Sequence, residues 1–186
     1  LCDEKGILLI FDEIQCGMGR TGSLFAYEQY EVEPDIFTLA KALGGGVPIG
    51  AFLAKDKIAD SFEPGDHGST FGGNHLATRA AYTTITTILE DNILEEVNHM
   101  SQYFRDKLNQ LVDEFTEVKG VRGKGLMLAL QFSETIDAGE VVNSMFEKGF
   151  LINAVQKHAL RFLPPLIIEE KDVDNLIKAL REILDN

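Results

Sequence analysis

Residues 6–11 form an uninterrupted apolar run, GILLIF, that ends in the acidic pair Asp12 and Glu13. A strand with one wet face alternates apolar and polar residues, whereas a strand covered on both faces does not. The run therefore predicts a strand buried on both faces of a parallel sheet. Ligands of such sheets bind at the carboxyl ends of the strands, which makes Asp12 a candidate functional residue. For an isolated apolar strand that ends in aspartate, capping of a turn is the simpler interpretation.

The remaining chain alternates strands and helices, which is typical of an α/β protein. Strands are predicted at 36–38 and 49–54, and glycine-rich loops at 17–22 and 65–73. From about residue 74 apolar residues recur at gaps of three and four, which predicts two long helices. A break at 120–125 precedes a strand at 126–132, a helix at 139–148, strands at 151–154 and 160–163, and a helix at 171–184. We expect an α/β part at 1–90, a connecting helix at 91–115 and a small α+β domain at 116–186.

Composition excludes several classes of protein. With 17 basic and 30 acidic side chains the net charge is −13, so nucleic acid and anionic membranes are not expected partners. The two cysteines form no CxxC pair and the four histidines lack metal-ligand spacing, so we expect no metal site and a reducing, cytoplasmic location. No apolar run reaches the roughly 20 residues of a membrane span. Because the chain begins with Leu1 and enters a strand almost at once, we expect a fragment lacking its N-terminal portion.

Lys41 is the second candidate, because it lies among Leu39, Ala40, Ala42 and Leu43 and precedes three glycines. A charged amine in apolar surroundings is costly, so the side chain either extends to solvent or has a chemical task. A desolvated lysine is a nucleophile toward aldehydes. Together, a strand-end carboxylate and such a lysine are what pyridoxal phosphate needs. The lysine binds its aldehyde, and the aspartate keeps its pyridine nitrogen protonated.

The acidic pair also permits another interpretation. An apolar strand ending in Asp12 and Glu13 is similar to the magnesium-binding strand of P-loop ATPases. That function requires a GxxxxGK[ST] loop, and the sequence contains none. A third alternative is a folded C-terminal fragment without catalysis.

Five segments together resemble the C-terminal half of the class III pyridoxal-phosphate-dependent aminotransferases. They follow one another in the family's order: FDEIQCGMGRTG at 11–22, LAKALGGGVPIGA at 39–51, HGSTFGGN at 67–74, VRGKGLML at 121–128 and LRFLPPLII at 160–168. The resemblance implies fold type I. The chain would supply the C-terminal part of the large, mainly parallel-sheet domain and the small C-terminal α+β domain.

The resemblance also implies roles at the cofactor. Lys41 matches the catalytic lysine that carries pyridoxal phosphate and moves the proton during transfer. Asp12 matches the partner of the pyridine nitrogen, and Gln15 matches a residue that contacts the ring near its phenolic oxygen. Thr70 matches a threonine that reaches the phosphate of the neighbouring subunit's cofactor, which implies a homodimer. Glu13 is expected to face the other side of the strand and to be structural.

Two further residues match substrate-binding positions. Ser69 would lie near the substrate, and Arg161 matches the arginine that clamps a substrate carboxylate, where a planar guanidinium pairs with both oxygens. The resemblance is greatest to members that transfer the δ-amino group of N-acetylornithine to 2-oxoglutarate in arginine biosynthesis. Members that act on ornithine or 4-aminobutyrate have similar motifs and remain alternatives.

Overall fold

The computed structural model describes residues 1–185, which divide into a first unit, Leu1–Leu94, and a second unit that begins at Glu95. The first unit contains a three-stranded sheet in the order β1 (Ile10–Asp12), β2 (Ile36–Leu39), β3 (Ala51–Ala54). β1 and β2 are parallel, whereas β2 and β3 are antiparallel. Its helices are α1 (Cys2–Lys5), α2 (Asp56–Ala59) and α3 (His75–Glu90), with 3₁₀ turns at Ala26–Tyr30 and Lys41–Gly44.

The expectation that the apolar run is buried on both faces is wrong for this chain. Ile7 and Leu8 are exposed, and Ile10 within β1 is 58% exposed. β1 has three residues and lies at the edge of the sheet, where it pairs with β2 alone. Asp35 anchors the preceding residue, because Leu9 N donates to its carboxylate over 3.0 Å. The run thus forms the predicted strand at its end only.

Helix α3 begins where the helical period begins in the sequence. The Asn74 side chain caps it by accepting a hydrogen bond from Ala77 N at 3.0 Å. Ala77, Ala81 and Ile88 are buried along one face, as their spacing predicts. Leu89, one residue after Ile88, is exposed.

Helix α4 (Ile93–Glu114) begins in the last residues of the first unit and is the first element of the second unit. Four antiparallel strands form a sheet in the order β4-β5-β7-β6. These strands and the two following helices are β4 (Val118–Lys124), β5 (Met127–Phe132), α5 (Ala138–Glu147), β6 (Asn153–Gln156), β7 (Ala159–Phe162) and α6 (Glu170–Leu184). The break expected at 120–125 is wrong, because β4 occupies most of it and turns tightly into β5.

In the core of the second unit, the buried residues recur with the helical and strand periods that the sequence predicts. Helix α4 buries Val97, Met100, Phe104, Leu108 and Leu111, at gaps of three and four. Strand β5 alternates, with Leu128, Leu130 and Phe132 buried. The rings of Phe104 and Phe162 lie 5.3 Å apart, which joins α4 to β7. Within residues 1–185 no helix is long and apolar enough to cross a bilayer.

Candidate active site

Asp12 and Lys41 lie at the same edge of the first unit's sheet. In the parallel pair of β1 and β2, Asp12 is in register with Thr38, and Glu13 N donates to Thr38 O over 3.0 Å. Lys41 comes three residues after Thr38 and begins the 3₁₀ turn that follows β2. Both side chains are exposed. The fold therefore brings a carboxylate and a primary amine to the carboxyl ends of two neighbouring parallel strands, where α/β sheets bind ligands.

The Asp12 carboxylate is oriented by the chain that follows it. Its Oδ1 accepts a hydrogen bond from Ile14 N at 2.9 Å, which is the turn-capping role that a strand-end aspartate can also have. The capping bond fixes the side chain without burying it. Gln15 is exposed in the same turn, one residue beyond Ile14. The turn thus presents Asp12 and Gln15 close together in sequence at the edge of the sheet.

Lys41 has a backbone conformation that non-glycine residues seldom adopt. Its φ is +49°, in the left-handed region, and such residues cluster at functional sites. Leu39 and Leu43 on either side are buried, whereas the Lys41 side chain is exposed. The apolar neighbours therefore pack into the first unit and turn the amine outward, so these neighbours do not themselves desolvate it.

Glu13 is the buried acidic residue beside the site. It is 3% exposed, and its carboxylate accepts hydrogen bonds from Ala26 N and Tyr27 N, each at 2.9 Å. Cys16 Sγ lies 3.3 Å from the same carboxylate. Burial, together with this hydrogen bond and the charge of Glu13, raises the pKa of Cys16 to about 11. The expected structural position of Glu13 follows from the strand's alternation, but the sequence gives no sign of what its carboxylate binds.

Ser69 and Thr70 lie on an exposed loop that leads into α3. Ser69 Oγ accepts a hydrogen bond from Gly72 N at 2.9 Å, and a Cβ on Gly72 would lie 2.8 Å from the Ser69 side chain. The loop and residues 48–50 border a groove of about 710 Å³, which Ser69 lines. Helix α3, which continues from this loop, packs against the turn that Lys41 begins. The loop that carries Ser69 and Thr70 is thus continuous with a helix that contacts the turn of Lys41.

Arg161 lies in the second unit, on β7, opposite Ala129 of β5 and Asn153 of β6. It is half-buried and lines a cavity of about 250 Å³. The other lining residues are mainly apolar: Phe104, Phe150, Leu151, Ile152, Asn153, Phe162, Leu163, Pro164, Pro165, Ile168, Asp172 and Leu176. A guanidinium in an apolar wall is a fixed positive group suited to a carboxylate.

The side chains present fit pyridoxal phosphate. An exposed primary amine suits its aldehyde, and an oriented carboxylate at the same sheet edge suits its pyridine nitrogen. The 67–74 loop carries hydroxyl groups and glycine backbone N–H groups, which can donate hydrogen bonds to a phosphate. Among the described residues, no group of three or more His, Cys, Asp or Glu side chains could hold a metal ion.

Comparison with known proteins gives one family. The model of "Aminotransferase class-III" matches residues 1–184. The acetylornithine aminotransferase of Methanocaldococcus jannaschii is 52% identical over 183 residues, which cover 98% of this chain and 46% of that protein. The ornithine aminotransferase structure from Toxoplasma gondii ME49 superposes with a TM-score of 0.92 at 37% identity, covering 99% of this chain and 45% of that one.

A third match has the same extent. The N-acetylornithine aminotransferase structure from Stenotrophomonas maltophilia K279a superposes with a TM-score of 0.88 at 39% identity, over 99% of this chain and 48% of that one. The chain thus spans about half the length of the proteins it matches. The matches confirm the predicted α/β class and fold type I. They leave no support for the ATPase alternative. In that alternative Asp12 and Glu13 act together, whereas here the Glu13 carboxylate is bonded to the backbone amides of Ala26 and Tyr27.

Proposed function

The chain belongs to the class-III aminotransferase family, and from this premise we propose that it forms part of an enzyme that moves the δ-amino group of N-acetylornithine to 2-oxoglutarate. One observation carries the proposal: Asp12 and Lys41 lie at the carboxyl ends of the adjacent parallel strands β1 and β2. The choice of donor is supported by the names of the relatives, such as the M. jannaschii protein at 52% identity. The proposal places the reaction in arginine biosynthesis.

The proposed cofactor site consists of Lys41, Asp12, Gln15 and Thr70. Bound pyridoxal phosphate supplies an aldehyde that accepts the amino group and a ring that takes up electrons when the substrate loses a proton. Lys41 holds the cofactor through Nζ and then moves the proton at that atom. Asp12, oriented by its bond to Ile14 N, keeps the pyridine nitrogen protonated. Gln15 contacts the ring, and Thr70 binds a phosphate.

The proposed substrate contacts are Arg161 and Ser69. Arg161 binds a substrate carboxylate through its planar guanidinium, within a cavity whose lining is mainly apolar. Ser69 offers a hydroxyl from the exposed loop beside Thr70. The amino donor and 2-oxoglutarate each carry a carboxylate, so one arginine can bind the substrate in either half of the reaction.

We also propose a cytoplasmic homodimer. Both Cys2 and Cys16 are free thiols, which fits a reducing compartment. Next to Thr70, Phe71 is 82% exposed and Leu76 is also exposed, which is apolar surface suited to a second subunit. Thr70 would then contribute to the neighbouring subunit's phosphate site.

The proposal is tested by measuring amino transfer to 2-oxoglutarate with three donors: N-acetylornithine, ornithine and 4-aminobutyrate. The assay uses the longest natural polypeptide that contains this sequence. We expect the highest kcat/KM with N-acetylornithine. We expect Arg161→Lys to lower it roughly 10- to 100-fold, because one charged hydrogen bond is worth about 1.5–3 kcal/mol. A higher kcat/KM with ornithine or 4-aminobutyrate would overturn the donor, and no transfer with any of the three would overturn the activity.

A second candidate is a folded chain without turnover of its own. The exposure of Ile7, Leu8 and Ile10 at the edge strand favours it, because a strand that serves an active site in an α/β sheet is normally covered. Amino transfer by the 186-residue chain by itself decides between the two. No transfer by this chain, with transfer by a longer polypeptide, would assign the activity to the longer polypeptide alone.

A further inference from the structure

Glu13 connects three separate parts of the first unit. Its carboxylate accepts hydrogen bonds from Ala26 N through Oε2 and from Tyr27 N through Oε1, both at 2.9 Å, and from Cys16 Sγ at 3.3 Å. Its backbone N donates to Thr38 O at 3.0 Å, and its backbone O accepts from Gly17 N at 2.9 Å. The residue therefore bonds to β2, to the beginning of the segment 14–25 and to the two residues that follow that segment.

That segment is tied both to itself and to the 3₁₀ turn Ala26–Tyr30 that follows it. Gln29 Nε2 donates to Thr21 O at 2.9 Å and to Ser23 Oγ at 2.6 Å. Gly19 N donates to Leu24 O at 3.1 Å. Because Ala26 and Tyr27, at the start of that turn, donate to Glu13, its carboxylate holds the far end of the segment as well as its beginning.

The strand's alternation divides the roles of the two neighbouring acids. Consecutive side chains of a strand point to opposite faces, so Asp12 is exposed while Glu13 is buried. Gln15 lies in the turn two residues later, directly before Cys16 and Gly17, which both bond to Glu13. A shift at Glu13 would therefore move Asp12 and Gln15 together.

We propose that Glu13 is a positioning residue, whose buried carboxylate sets Asp12 and Gln15 in the geometry that receives the pyridine ring. The inference rests on the proposed function, in which Asp12 and Gln15 contact the cofactor. A carboxylate suits the task because each oxygen accepts one backbone N–H. Glutamine would direct its NH₂ group at one of those donors, and would leave that N–H unbonded in a buried place.

The test compares Glu13→Gln with two controls in the longest natural polypeptide that contains this sequence. Glu28→Gln makes the same chemical change at an exposed residue that caps the same 3₁₀ turn by accepting from Phe25 N at 3.1 Å. Ile88→Val trims the buried face of α3, and lowers stability at a residue outside the segment 14–25. Two quantities are measured: hydrogen exchange at the amides of residues 26 and 27 without cofactor, and the Kd for pyridoxal phosphate.

We expect Glu13→Gln to speed exchange at both amides and to weaken cofactor binding on the order of ten-fold, the scale typical of residues that orient a ligand's partners. Both controls should bind within about two-fold of the parent. Glu13→Asp keeps the charge on a shorter side chain, should bind with intermediate Kd, and replaces the glutamine variant if that one does not fold.

The possible outcomes distinguish a failure of the proposed function from a failure of the inference about Glu13. If the parent does not bind pyridoxal phosphate, the proposed function is overturned. If the parent binds and Glu13→Gln changes exchange but not Kd, the carboxylate has a structural role alone and the inference is wrong. Equal weakening by Ile88→Val would show a general effect of stability, and would also overturn it.

Discussion

Gly123 in the β4–β5 hairpin cannot accept a side chain. It pairs with Leu128 and has a φ of +118°, a conformation that residues with a Cβ avoid. A Cβ at this position would overlap Met127 O and lie 3.0 Å from Leu128 Cα. Both contacts are with backbone, so no side-chain rotation relieves them.

The cost of Gly123→Ala follows from these two effects. The strained backbone costs about 1–3 kcal/mol and the forced displacement of the neighbouring strand about 1–3 kcal/mol, so we expect a loss of about 2–6 kcal/mol in the free energy of unfolding. Gly120→Ala is the matched control in the same strand, because a Cβ there meets nothing within 4 Å. A change within about 0.5 kcal/mol is expected for the control.

The assay is urea denaturation of the whole chain, with hydrogen exchange of the β5 amides reporting on the second unit. Gly123→Ala should lower the urea midpoint and speed β5 exchange, while Gly120→Ala should leave both near the parent values. Equal effects of the two substitutions, or a Gly123→Ala protein as stable as the parent, would refute the assignment of the clash to this hairpin.

Three other predictions concern stability and reactivity. Phe104→Ala removes a side chain that is 1% exposed, and should cost about 3–5 kcal/mol, measured by urea denaturation. The hydrogen bond from Leu9 N holds the pKa of Asp35 below its ordinary value of 3.8, so its stabilisation is present above that pH and is lost as the pH falls through the lower folded pKa. Asp35→Asn should therefore flatten the acid limb of stability measured against pH, and an unchanged limb would contradict this. Burial and the Glu13 carboxylate raise the pKa of Cys16 from 9.0 to about 11, so alkylation at pH 8 should be roughly 100-fold slower than in urea. A rate equal to that of the unfolded thiol would contradict this origin of its low reactivity.

Local patterns in the sequence predict most elements of the second unit, because its helices and strands pack against one another. The spacing of Val97 to Leu111 gives the buried face of α4 directly. The missed element is β4, where Gly120, Gly123 and Gly125 indicate a break although the backbone pairs along most of this stretch. Glycine is common in turns, but it also permits the close backbone approach that this hairpin requires.

The first unit is less predictable, because its sheet is short and its two outer strands, β1 and β3, are largely exposed. The apolar run at 6–11 predicts burial, but burial depends on what covers the strand, which no local pattern contains. Residue types and their order predict that Asp12 and Lys41 serve one site, and the parallel register of β1 and β2 brings both residues to one edge of the sheet. The hydrogen bonds of Glu13 to Ala26 N and Tyr27 N span 13 and 14 residues, so no short motif could reveal them.

The most direct test of the central claim is to identify the lysine that binds the cofactor. The longest natural polypeptide containing this sequence is incubated with pyridoxal phosphate, reduced with borohydride and mapped by peptide mass spectrometry. We predict that the phosphopyridoxyl group is found on Lys41 and that Asp12→Asn lowers its yield at limiting cofactor. A group on a different lysine, or scattered evenly over exposed lysines such as Lys57, would contradict the assignment of Lys41 and Asp12 as a cofactor site.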